Sequence, residues 1–136
     1  MNPVKEIKQE YLHFLAILRE IHSGERDEGI IALLPYDEGG LYIDHFKTSN
    51  IAQKHGNIPL ENMIITATEP TSVIVGVIAE RPYVTLVYEF PEGGFIFSAR
   101  KFNGHYVVTF FEPSDIKYIK SIKERGCVLF DNKKTP

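Results

Sequence analysis

Cysteine, tryptophan and long apolar runs are scarce or missing in this chain. Its 136 residues include one cysteine, Cys127, and no tryptophan. A lone thiol cannot close an internal disulfide or supply the paired cysteines of a structural zinc site. The core must then be held by packing, and a reducing compartment, the cytoplasm, is the expected location. The longest apolar stretch near the start, Tyr11 to Leu18, is interrupted by His13 and follows Lys5, Glu6, Lys8 and Glu10. A spanning helix needs about 20 apolar residues and an export leader a cleaner apolar segment, so neither membrane insertion nor export is expected.

The common catalytic signatures are also missing. There is no Gly-rich phosphate loop ending in Lys-Ser/Thr, no Gly-x-Ser-x-Gly elbow and no His-Glu-x-x-His. No cofactor and no metal site is expected, and an enzyme is the less favoured reading.

What is present is the composition of a folded domain. With 43% hydrophobic and 24% charged residues, the chain carries enough apolar surface to offset ordering entropy. Its length matches one domain, here placed at residues 1–131, with 132–136 as a frayed tail.

The order of elements indicates an α+β fold. Asn2 can cap a first helix, Pro3 suits its first position and Gly24 its end. Val4, Ile7, Tyr11, Phe14, Leu15, Leu18 and Ile21 form its apolar stripe. Strand-like segments follow at Ile30 to Leu34, Leu41 to Phe46, Met63 to Thr68, Ser72 to Glu80, Tyr83 to Phe90, Phe95 to Arg100 and His105 to Phe111. The stretch from Ser49 to Pro59 reads as a short helix or a loop. A closing helix runs from Asp115 to Arg125 with Ile116, Ile119 and Ile122 on its apolar face, and Gly126 suits a left-handed end. Cys127 to Phe130 offers a last strand, and Cys127 itself reads as a buried structural thiol. The expected architecture is a curved, mainly antiparallel sheet of about seven strands, a roll or half-barrel, with an amphipathic helix at each end. Several strands are apolar on both faces and therefore need cover on both.

One internal echo stands out. Glu38-Gly39-Gly40-Leu41-Tyr42-Ile43 returns as Glu92-Gly93-Gly94-Phe95-Ile96-Phe97. A duplication would produce this, but Glu-Gly-Gly is also good turn chemistry.

Charge is unevenly distributed. Residues 1–99 hold seven Lys/Arg against fourteen Asp/Glu, whereas residues 100–136 hold eight against four. Lys117, Lys120 and Lys123 recur along the closing helix as a basic stripe, with Arg100 and Lys101 on a preceding strand. These five residues are the expected contacts for phosphates or an acidic partner, unless the stripe is only the solvated face of an amphipathic helix. Nucleic acid is not the favoured partner, because the acidic balance of the whole chain, net −3, opposes a polyanion.

Histidines are the natural catalytic candidates, and His45 and His105 are the two weak ones. Asp44 and His45 are neighbours on a strand-like segment, where alternation sends them to opposite faces. A hydrolase or phosphodiesterase would need His45 and His105 to converge with a carboxylate such as Glu80 or Glu89. A small-ligand binder would use a concave sheet face, with Tyr42, Tyr83, Tyr88 and Tyr106 as polar handles. The leading expectation is a non-enzymatic binding or regulatory protein that acts through protein contact, as a small chaperone, inhibitor or immunity-type protein does, and that pairs as a homodimer.

Overall fold

The first helix ends where its apolar stripe meets a residue able to reverse the chain. A computed structural model describes residues 6–34, 39–55 and 59–131. A 3₁₀ turn at Gln9–Tyr11 leads into α1, Leu12–Ser23. Phe14, Leu15, Leu18 and Ile21 are its buried face. Gly24, at φ +88°, closes it with its N–H on the Ile21 carbonyl, a conformation that costs a glycine nothing. Residues 2–4, expected to open the helix, lie outside the described residues, and Ile7 packs on the core from the segment before the 3₁₀ turn. The Lys8 ammonium ties this segment to Glu69 at 2.7 Å, and that hydrogen bond raises the amine above its ordinary pKa.

Seven strands form one open sheet in the order β1-β2-β6-β5-β4-β3-β7. They are β1 (Glu28–Leu33), β2 (Gly40–Asp44), β3 (Ser72–Ile78), β4 (Arg81–Phe90), β5 (Gly93–Phe102), β6 (His105–Ser114) and β7 (Cys127–Asp131). Strands β3 to β6 make an antiparallel meander. The single parallel junction is β2 with β6, through Leu41↔Tyr106 and Tyr42↔Val107. The α+β class and the mainly antiparallel sheet agree with the sequence expectation, although one assignment within it is wrong.

Met63 to Thr68 is not a strand. It lies inside a helix, α3, at Leu60–Thr68. A short β-branched run cannot be assigned by periodicity alone when every side is apolar, and here residues 62–67 are all buried. The threonines are reconciled with a helix by donating to carbonyls one turn back, Thr66 to Asn62 at 2.8 Å and Thr68 to Ile64 at 2.6 Å. The strand count is restored by β7, which the sequence offered as an extra.

A second helix, α2 at His45–His55, starts earlier than the expected Ser49. Asp44 is the reason, since its carboxylate accepts the Lys47 N–H at 2.7 Å and caps the helix. Phe46, expected on a strand, is therefore helical and 72% exposed.

Helices cover both faces of the sheet. On one side α1 and α3 pack over Val84, Leu86, Phe95, Phe97, Val108 and Phe111, where Phe95 stacks on Phe111 with centroids 5.5 Å apart. On the other lies a fourth helix, α4 at Ile116–Arg125. Asp115 caps it by accepting the Tyr118 N–H at 2.8 Å, and Ile119 packs with Ile74, Val87 and Ile96. Gly126 does not take the left-handed conformation expected of it; its φ is −115°. Its lack of a side chain serves close approach instead, because a Cβ there would fall 2.3 Å from Ile74 Cγ2.

The two Glu-Gly-Gly segments occupy unlike positions. The first, whose Glu38 is outside the described residues, leads into β2 beside the edge strand β1. The second joins the central strands β4 and β5.

Candidate functional site

Alternation along the central strands builds a cleft under α4. On the face that α4 covers, β5 presents Ile96, Ser98 and Arg100, and β4 presents Val87, Thr85 and Tyr83. The first pair, Ile96 and Val87, is sealed by Ile119. One step along each strand the side chains become short and polar, and the helix is no longer filled in from below. The result is an open cleft of about 490 Å³. Thr85 and Ser98 lie on its floor with their hydroxyl oxygens 3.2 Å apart. Thr109, the extra residue of a bulge in β6, adds a third hydroxyl and donates to the Ser98 carbonyl at 3.0 Å. Tyr118, Ile122 and Arg125 of α4 form the opposite wall, and Tyr83 and Arg100 stand on the sheet side.

The position of Tyr83 is set by a missing side chain. Across the β3–β4 ladder its partner is Gly76, and a Cβ on that glycine would come within 2.4 Å of the tyrosine ring. The ring therefore lies flat over Gly76 backbone, with its hydroxyl near Gly126. Arg100 and Arg125 are exposed. Among the described residues neither has an ion-pair partner, and the lining of the cleft holds no carboxylate.

The other residues singled out from the sequence do not gather here. Tyr88 and Tyr106 are buried in the main core on the opposite face, with the Lys101 ammonium 5.5 Å from the Tyr106 ring centroid. Tyr42 is stacked on His105 at 5.3 Å across the β2–β6 junction. His45 donates from Nδ1 to the Ile21 carbonyl at 2.8 Å, while its backbone N–H donates to Asp27 at 2.8 Å. Its imidazole thus closes the end of α1. Asp44 turns its carboxylate to the α2 cap, so Asp44 and His45 part company through the start of a helix and not through strand alternation. Among the described residues no group of three or more His, Cys, Asp or Glu side chains could hold a metal.

The basic stripe is divided. Lys117 and Lys120 are exposed on α4, but Lys123 is only 17% exposed and lies 2.9 Å from Glu89 Oε2 and 3.3 Å from Asp131 Oδ1. Successive steps of three residues drift around a helix by about 60°, which carries Lys123 toward the sheet. Ser72 Oγ joins the same group, 3.0 Å from Asp131 Oδ1.

Beside this network runs β7, an edge strand of the sheet. Its pairing with β3 slips between Val128 and Phe130, leaving Leu129 as a bulged residue. Val128, Leu129 and Phe130 are 38%, 54% and 42% exposed. Cys127 is exposed as well, and not the buried thiol expected, because no element covers this outer edge among the described residues. A shallow groove there is lined by the apolar triplet together with Lys120 and Glu124 of α4. The sequence shows three adjacent apolar residues before a polar tail; that no described element packs over them is decided by the fold.

Among the described residues no helix is long and apolar enough to cross a membrane. No protein-family profile, no curated protein and no solved structure matches the chain, so its function has to be argued from the geometry of the cleft and the β7 edge.

Proposed function

We propose that this chain is a non-enzymatic binding domain that acts through protein contact, and that the contact surface is the β7 edge with the flank of α4. The observation that carries the reading is the exposed run Val128-Leu129-Phe130 on an edge strand. Adjacent apolar side chains on one edge are a contact surface more often than a solvent surface. The bulge at Leu129 breaks the regular row of backbone donors and acceptors, so side-chain packing suits this edge better than addition of a further strand.

A second copy of the chain is the occupant that fits. Lys120 and Glu124 sit four residues apart beside the apolar triplet, one basic and one acidic. In an isologous contact each patch meets itself turned through a two-fold axis, so Lys120 of one copy can face Glu124 of the other. A cytoplasmic setting belongs to the same proposal, since it keeps the exposed Cys127 thiol reduced.

Sedimentation velocity over a concentration series tests this reading. The native chain is expected to shift from monomer to dimer, Leu129→Glu to remain monomeric, and Lys120→Glu to weaken the dimer. Combining Lys120→Glu with Glu124→Lys restores opposite charges across the axis and is expected to restore association. A native chain that stays monomeric throughout, or a dimer indifferent to Leu129→Glu, overturns it.

A further inference from the structure

We propose that the cleft under α4 binds a small phosphomonoester carried on a planar ring, a second binding role independent of the β7 edge. Three features of the cleft converge on that chemistry. Two arginines, Arg100 from β5 and Arg125 from the last turn of α4, line one cleft, and its described lining residues include no carboxylate. A phosphomonoester carries close to two negative charges at neutral pH, matching two guanidiniums, and it presents three oxygens to their fork-like donors. A carboxylate would match only one of them.

The floor and walls supply the rest. Thr85, Ser98 and Thr109 place hydroxyls along the sheet, while Tyr83 and Tyr118 offer ring faces with polar tips. Tyr83 is seated over Gly76, where the missing side chain leaves room for its ring. The cleft, at about 490 Å³, falls within the range of small-molecule sites. A neighbouring hollow of about 290 Å³ shares Thr109, Phe110 and Tyr118 with it and is lined as well by Lys54 and Glu112. A ligand can thus hold its phosphate at the arginine end and its ring toward Phe110 and Tyr118.

The minimal probe of this chemistry is phenyl phosphate, followed by amide chemical-shift titration of the full chain, with inorganic phosphate and phenol as the two halves tested separately. Saturable shifts clustered on Tyr83, Ser98, Arg100 and Tyr118 are expected, with affinity at least about tenfold above that for inorganic phosphate, because ring and phosphate act together. Arg100→Gln and Arg125→Gln should each weaken binding by about tenfold or more, the loss of one charge-assisted fork. Both residues are exposed, so thermal denaturation of the variants should show native stability. Lys117→Gln, on the same helix but outside the lining, should bind as the native chain does. Absence of saturable shifts overturns the proposal. So does equal affinity for inorganic phosphate, which reports charge attraction alone, and so does binding that survives both arginine variants.

Discussion

Lys123→Met is the substitution that separates the structure from the sequence most sharply. The Nζ atom lies 2.9 and 3.0 Å from the two oxygens of Glu89 and 3.3 Å from Asp131 Oδ1. Side-chain exposures of 17%, 11% and 13% place all three mostly out of water. Methionine keeps the apolar stem but removes the charge, leaving two carboxylates facing each other across Ser72. Breaking a buried ion pair from one side costs about 3–5 kcal/mol. The residual exposure favours the lower end, so about 3 kcal/mol is expected, equivalent to a fall in melting temperature of roughly 10 °C for a chain of this size. Urea denaturation at pH 7, followed by far-UV circular dichroism, measures it, with an unchanged slope showing that the unfolded state is comparable. Lys120→Met on the exposed side of the same helix is the control and should stay within about 0.5 kcal/mol. Adding Glu89→Gln to Lys123→Met removes the carboxylate that faced the lost ammonium, and the pair should be coupled by about 1 kcal/mol or more. A loss for Lys123→Met no larger than that of Lys120→Met would refute the buried network and return Lys123 to a solvated stripe.

Two other predictions concern backbone and core. The β3–β4 turn places Ala79 at φ +52° and Glu80 at φ +66°, a left-handed pair suited to Asn-Gly, which the chain itself uses at Asn103-Gly104 in the β5–β6 turn. Replacing Ala79-Glu80 by Asn-Gly should therefore stabilise the protein by about 1–2 kcal/mol in urea denaturation, and a loss of stability would show that the native pair makes compensating contacts. In α3, both amide atoms of buried Asn62 lack a hydrogen-bond partner among the described residues. Unpaired buried polar groups cost about 1–3 kcal/mol, so Asn62→Ala should cost under about 1 kcal/mol or stabilise, where truncation of a well-paired amide would be clearly destabilising; calorimetry decides.

Much of the architecture could be read along the chain because it rests on local periodicity. The stripe ending at Ile21 with Gly24 beyond it gives α1, and alternation from Ser72 to Phe111 gives the meander. Asp115, two residues after Pro113, marks the start of α4. Met63 to Thr68 reads as a strand because its β-branched residues satisfy strand propensity, and only burial between α1 and the sheet selects a helix. The candidate sites were less legible. Tyr83 and Arg100 were named from the sequence, but their neighbours Thr85, Ser98, Thr109, Tyr118 and Arg125 looked like ordinary strand and helix positions. They meet because α4 folds back over β4 and β5, whose side chains shorten beneath it.

Local patterning along the chain is enough to place helices and strands over most of its length, to mark which residues are apolar enough to be buried, and, with one cysteine, to exclude an internal disulfide. These follow from residue type and spacing, which act over one or two turns or strands. The tertiary structure alone decided the sheet order, the parallel junction of β2 with β6 and the inward turn of Lys123 onto Glu89 and Asp131. It also decided the seating of Tyr83 over Gly76 and the exposure of Val128, Leu129 and Phe130. Each depends on which distant segment arrives as neighbour, and burial, ion pairing and cleft formation are properties of neighbours rather than of residues.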